Sequence, residues 1–309
     1  MNIPRRNGPR GRWFAAACLV LLASCGDPPA PPEGSGGSGG TGGEIAQPES
    51  DAFPVEFRDD AERRVELHTA PARIVSLVPS ATRVLLALGR GDRLVARTDH
   101  DRVPELAHLP SVGGGLNPSV ERLIALEPDL VIRFDAASDL STPRNLDARG
   151  IPHLAVRPDG IDDIRRIIGL LGASVGMRAE ADSLRREMDR KLLEVARRVE
   201  GTNRPRVVFL LGGDPPLVVG PGTFLHELVE LAGGKNAFDD AEELYAPVSL
   251  EEIIRREPDL VLVSEGGSVP DALRGIPSRT APAGIELPGL DVGRSAEELS
   301  RILHPEPGP

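Results

Sequence analysis

Thiol chemistry is almost missing from this chain. Its 309 residues include two cysteines, Cys18 and Cys25. The body beyond them has no material for a disulfide scaffold, a thiolate metal site or a cysteine nucleophile. A body this long can bury enough core without such staples. Positive charge is also short: the formal net charge is −11, which argues against nucleic-acid binding and against holding an anionic membrane through the protein surface. Outside the low-complexity run at 34–43, the Gly-x-Ser-x-Gly elbow, the Walker loop and the spaced glycines of dinucleotide binding are absent. Gly212-Gly213 and Gly220-Pro221-Gly222 read as turns. There is no His-rich loop, and aromatic residues make up only 3%, so a site built from flat rings has few to draw on. The apolar run Trp13–Ser24 is too short to span a bilayer as a mature helix.

That run follows Arg5, Arg6, Arg10 and Arg12 and ends Leu22-Ala23-Ser24-Cys25. A basic start, a short apolar stretch and small residues before a cysteine form an export signal. The ending resembles the lipobox of bacterial lipoproteins, which implies cleavage after residue 24 and a lipid on Cys25. Loss of four arginines and no acids would take the net charge from −11 to −15, leaving the lipid to do the anchoring. Residues 25–52 hold Pro28-Pro29-Ala30-Pro31-Pro32 and a Gly/Ser-rich run from Gly34 to Gly43. They read as a flexible tether with a reach of roughly 30 Å.

The body is organised around a stretch that occurs twice. Glu121, Ile124, Glu127, Pro128, Asp129, Leu130 and Val131 recur as Glu251, Ile254, Glu257, Pro258, Asp259, Leu260 and Val261. A repeat 130 residues apart implies two similar lobes rather than a solenoid. Each copy reads as a helix stopped by proline, a Pro-Asp turn and a buried parallel strand, the closing half of a βαβ unit. Glu121 and Glu251 fall in the first turns of these helices. One reading is an answer to the helix dipole, roughly 0.3–1 kcal/mol each. The other is a solvent-facing contact, because Ser249 with Glu252 forms a capping box that leaves Glu251 free.

The body begins near Phe53. Val55 to Leu67 alternates around Arg58-Asp59-Asp60 as a hairpin would. Arg73 to Val78 reads as a buried strand broken by Pro79-Ser80, with Ser80 placed to cap the next helix. The loop Thr98–Arg102 follows a strand's carboxyl end, where open α/β sheets bind ligands, and Phe134 lies at another. Residues 161 to about 199 are patterned as helix. The stretch 178–199 alone would run about 33 Å, either as a surface helix of one domain or, between the two repeat copies, as a rigid spacer. Thr223 is placed to cap a helix ending at Gly233-Gly234, and Glu297–Leu303 reads as a final short helix.

Specific pieces then combine: Arg73-Ile74-Val75-Ser76-Leu77-Val78-Pro79-Ser80-Ala81-Thr82, Val112-Gly113-Gly114 with Asn117-Pro118, Leu126 to Val131, Gly233 to Phe238, and Val248 to Glu252. Over residues 55–304 the chain resembles the periplasmic binding proteins of ABC importers, in the subclass that carries cobalamin, iron-siderophores and haem. The resemblance implies an α/β fold with two Rossmann-like lobes, central parallel sheets, a long rigid connecting helix and a ligand cleft between the lobes. The expected divisions are 1–24 signal, 25–52 lipidated tether, 53–160 first lobe, 161–203 connecting segment and 204–309 second lobe. It implies no enzymatic activity, no intrinsic cofactor, a corrinoid or iron chelate as ligand, and a dimeric permease with its ATPase as partner. The protein would be exported and held to a bacterial membrane by the lipid on Cys25. Carried over by motif, the ligand positions are Pro79, Ser80, His100, Gly115, Phe134 and Tyr245, and the permease-docking glutamates are Glu121 and Glu251. Three positions depart from the pattern: His100 replaces a ring, Gly115 removes one, and Arg83 stands where relatives carry a glutamate, adding positive charge near the cleft. A related subclass binds bare zinc or manganese, with His100, His153 and His226 as candidate ligands.

Overall fold

The computed structural model describes residues 53–305. The signal segment, Cys25 and the tether lie outside the described residues. A hairpin comes first, β1 (Val55–Arg58) paired antiparallel with β2 (Arg64–Leu67). The first lobe continues with β3 (Ile74–Ser76), α1 (Pro79–Ala87), β4 (Leu94–Ala96), the small hairpin β5 (Gly113–Gly114) and β6 (Asn117–Pro118), α2 (Val120–Ala125), β7 (Leu130–Phe134), α3 (Ser141–Asp147) and β8 (His153–Val156). Its sheet is wholly parallel in the order β4-β3-β7-β8. The strand order therefore reverses between β3 and β7, the place where such sheets open a crevice at their carboxyl ends.

The helical pattern over 161–199 resolves into two helices, α4 (Ile161–Ser174) and α5 (Arg178–Arg198). Between them Gly176 takes φ 67°, a left-handed turn that glycine enters without steric cost. Gly172 lies so close to α5 that an added Cβ would sit 2.3 Å from the Cβ of Ala181. Only α5 is the connector, then; α4 packs within the first lobe against α1 and β1.

The second lobe holds β9 (Arg206–Leu210), β10 (Leu217–Val219), α6 (Phe224–Leu231), β11 (Lys235–Asn236), β12 (Tyr245–Pro247), α7 (Leu250–Arg255), β13 (Leu260–Val263), β14 (Ser278–Thr280) and α8 (Val292–Leu303), longer than its sequence pattern implies. The β9-β13-β14 ladder is parallel, and the far edge is mixed because β10 runs antiparallel to both β9 and β12.

Side chains alternate across each sheet and divide the core. Val75 and Val131 face α2 and α3 in a small first-lobe cluster, and Val208, Val261 and Val263 face α7 in a second-lobe one. The opposite faces, with Ile74, Ile132 and Leu154 on one sheet and Val207, Phe209 and Leu262 on the other, join a single core through α1, α4, α5, α6 and α8. Polar ties cross the same seam. The Phe224 amide donates to the Asp159 carbonyl at 2.5 Å, the Ile161 amide to Glu227 at 3.1 Å, and Arg83 pairs with Asp291 at 2.9 Å.

The repeat has one mechanical meaning in both lobes. Glu127 and Glu257 end α2 and α7 in left-handed geometry, φ 46° and 48°. That satisfies the bias of a following proline against the right-handed helical region. The next aspartate accepts from the chain entering the neighbouring strand: Asp129 from the amides of Ala72 and Arg73 at 2.8 and 2.9 Å, Asp259 from that of Arg206 at 2.8 Å. The arginine then turns back to cap the helix, Arg73 on the carbonyls of Leu126 and Glu127, Arg206 on that of Arg256. Asp-to-Arg clamps thus pin each repeated helix to its sheet.

Candidate ligand-binding cleft

A cavity of about 680 Å³ opens between the lobes, within the usual size of small-molecule sites. The first lobe supplies its floor from strand carboxyl ends. After β3 come Pro79 and Ser80, after β4 His100, at the end of β7 Phe134 and Asp135, and after β8 Arg157 to Asp159. The second lobe supplies Phe224, the first residue of α6, and Tyr245, the first of the edge strand β12. Residues 286–288, ahead of α8, close one side. All six ligand positions expected from the sequence, Pro79, Ser80, His100, Gly115, Phe134 and Tyr245, line this one cavity. Leu116, Asp135, Arg157, Asp159, Phe224 and Glu286 were not anticipated.

Local chemistry corrects several expectations. Ser80 does not cap α1: the helix starts at Pro79, two residues before a Ser80 cap would place it, because Pro79 has its φ preset and lacks the amide that the first turn leaves unbonded. Gly115 is more than a missing ring. A Cβ there would sit 2.2 Å from the Leu77 carbonyl oxygen, so the hairpin tip can approach β3 only as glycine. Its neighbour Leu116, 52% exposed, presents the apolar surface over the cavity instead. Arg83 does not enter the cleft, since its guanidinium is engaged by Asp291. Glu252 does not reach back to Ser249. The Ser249 hydroxyl does accept from the Glu252 amide at 3.2 Å, but the Glu252 carboxylate is taken by Arg255 and Arg256.

Charge in the cleft is uneven. Asp135 is paired with Arg157. Burial raises the Asp159 carboxyl above its ordinary value, against the pull of Arg157. Burial likewise raises the Tyr245 phenol, and the charges of Asp159 and Glu286 add to it.

Glu121 and Glu251 occupy equivalent exposed positions on α2 and α7, ahead of the buried pair Leu123 and Ile253. Among the described residues neither carboxylate makes an ion pair or a hydrogen bond. The three candidate metal histidines do not converge. His100 lines the cleft. His153 is buried in the first lobe against Arg63, Arg133 and Asp147, and His226, on α6, meets Asn236 of β11. Among the described residues no group of three or more His, Cys, Asp or Glu is placed to hold a metal ion.

The sequence profile described as periplasmic binding protein matches residues 74–278. The chain belongs to that family. This binding protein is 28% identical over 264 residues to an uncharacterized ABC transporter substrate-binding lipoprotein, YvrC, of Bacillus subtilis, covering 83% of this chain and 81% of that one. It is 33% identical over 206 residues to the vitamin B12-binding protein of Yersinia pestis, covering 65% and 73%. Among solved structures it is similar to the periplasmic heme-binding protein RhuT of Roseiflexus in apo form, with a TM-score of 0.65, 28% identity and coverage of 75% and 97%. The vitamin B12-binding protein BtuF of Vibrio cholerae shares the fold at TM-score 0.66 and 23% identity, covering 75% and 96%. The binding protein is therefore an extracytoplasmic, non-enzymatic substrate-binding component of an ABC importer.

Proposed function

We propose that this protein is anchored by a lipid on Cys25 and captures a corrinoid or a related metal chelate, an iron-siderophore or haem, for delivery to a permease and its ATPase. The observation that carries the reading is the cavity between the lobes. It is mostly apolar, has a few convergent polar groups and offers aromatic rings from both lobes, Phe134 from the first and Phe224 and Tyr245 from the second. Such a site grips a preformed ligand by its faces and orients it by its edges. The relatives that bind vitamin B12 and haem support the choice of ligand class. The shared core and the ties across the seam favour lobes that close only slightly, because a hinge would have to break packing as well as hydrogen bonds. Unpaired Glu121 and Glu251, one per lobe, suit docking against arginines of a dimeric permease, where exposed charges steer encounter and fix register.

The test is absorbance titration of the purified protein with cyanocobalamin, ferric siderophores and haemin, each in a separate series. One chelate should give saturable, stoichiometric binding. Failure of all three to bind would overturn the reading.

A further inference from the structure

Two carboxylates without a partner line the cleft from different parts of the chain. Asp159 ends the first lobe's contribution, and Glu286 stands in the segment ahead of α8. Neither makes a hydrogen bond or an ion pair through its carboxylate among the described residues. Both lie near enough to Tyr245 to act on its phenol. The basic side chains of the lining are Arg157, already paired with Asp135, and His100 at the far hairpin beside Gly114. The lining therefore holds three carboxylates, Asp135, Asp159 and Glu286, against one guanidinium, Arg157, and has an excess of negative charge when His100 is neutral. The remaining surface, including Leu116, Phe134, Phe224 and Leu287, offers nothing to neutralise it.

We propose that the cleft selects its chelate by charge, accepting one without free carboxylates whose rim carries N–H donors, with Asp159 and Glu286 as the residues that accept from it. The inference rests on the chelate-binding function proposed above and narrows it. A ligand carboxylate brought beside these groups meets like charge where water is partly excluded, and repulsion grows as the local dielectric falls. An amide or ammonium N–H meets a free carboxylate acceptor and forms a charge-assisted hydrogen bond. Burial first, and these two carboxylates after it, raise the Tyr245 phenol, which opposes its use as an anionic ligand to iron. Corrinoid carboxamides and the ammonium group of a cationic hydroxamate siderophore fit this lining; the paired propionates of haem do not.

Three probes test this on the full mature chain: cyanocobalamin, with carboxamides and no free carboxylate; ferrioxamine B, with an ammonium group; and haemin, with two propionates. Each is titrated at low and at physiological salt against the native protein and the Asp159→Asn/Glu286→Gln double variant, whose melting curve confirms that it is folded. Native protein should bind cyanocobalamin or ferrioxamine B at least about tenfold more tightly than haemin. In the double variant that preference should shrink about tenfold, with haemin gaining affinity, and raised salt should shrink it in the native protein because screening weakens the same repulsion. Haemin binding to native protein as tightly as the other two, or a preference unchanged by the double substitution, would overturn this inference while leaving chelate capture intact. Binding of none of the three would overturn both.

Discussion

The two lobes share a frame and differ in what they bring to the cleft. In each, a short helix ends on a left-handed glutamate, a proline stops it, and an aspartate clamps the arginine that enters the next strand. Yet the first lobe lines the cavity from the carboxyl ends of β3, β4, β7 and β8 and from the β5–β6 hairpin, while the second lines it from the first residue of α6, the first residue of an edge strand and the segment 286–288 ahead of α8. Repetition has kept the load path and released the loops. The repeated part carries the clamps that pin helix to sheet, and the part that is not repeated shapes the ligand site.

The largest expected effect lies on the unrepeated side. Gly115→Ala should cost about 3 kcal/mol, the upper end of overpacking, because its Cβ would collide with the Leu77 carbonyl. Gly114→Ala should cost far less, since the nearest atom is His100 Nε2 at 4.0 Å. Chemical denaturation of both variants checks the contrast; equal losses would contradict it.

The clamps sharpen the comparison. Asp129 accepts two backbone amides and Asp259 one. Asp129→Ala should destabilise by about 2 kcal/mol and Asp259→Ala by about 1, on the scale of hydrogen bonds to charged groups. The reverse order in denaturant melts would show that the lobes are clamped differently.

The repeated glutamates separate frame from function. Glu121→Gln/Glu251→Gln should leave ligand affinity and melting nearly intact and weaken uptake, most at low salt. If they only answer the helix dipole, the double variant should instead lose about 0.3–1 kcal/mol per site and transport normally. Uptake and melting temperature measured on the same variant decide between these outcomes.

A smaller effect distinguishes the first lobe. Burial chiefly, and then the guanidinium groups of Arg63 and Arg133, hold His153 below its ordinary 6.5, against the opposing pull of its hydrogen bond to Asp147. The unfolded chain takes up a proton near that value while the folded one does not, so protons favour unfolding. Stability from this group is present above about pH 6.5 and is lost as pH falls below it. Native protein should lose more melting temperature between pH 7 and pH 5 than His153→Gln does. An identical loss would remove His153 from the account.

Much of this architecture is legible in the chain because it repeats and because buried parallel strands read as apolar runs. Leu130-Val131-Ile132 and Leu260-Val261-Leu262 announce their strands, and the carboxyl-end rule reaches His100 and Phe134 directly. The clamp is visible only afterwards, since Arg73 and Asp129 lie 56 residues apart and nothing local couples them. The break at Gly176 is hidden because α4 and α5 are both amphipathic and join without loss of helical pattern. Phe224 gives no sign of the cavity, being the first residue of a helix whose position depends on the Asp159 carbonyl of the other lobe. Asp159 and Glu286 carry no motif at all; only tertiary folding brings them to Tyr245.

Calorimetric titration of the bound chelate into Phe134→Ala and Tyr245→Ala tests most directly whether two dissimilar halves make one ligand site. Each ring comes from a different lobe, and each truncation should weaken binding by roughly 1–3 kcal/mol, the scale of burying a large side chain, with melting temperatures close to the native value. Native affinity in both variants would contradict the account.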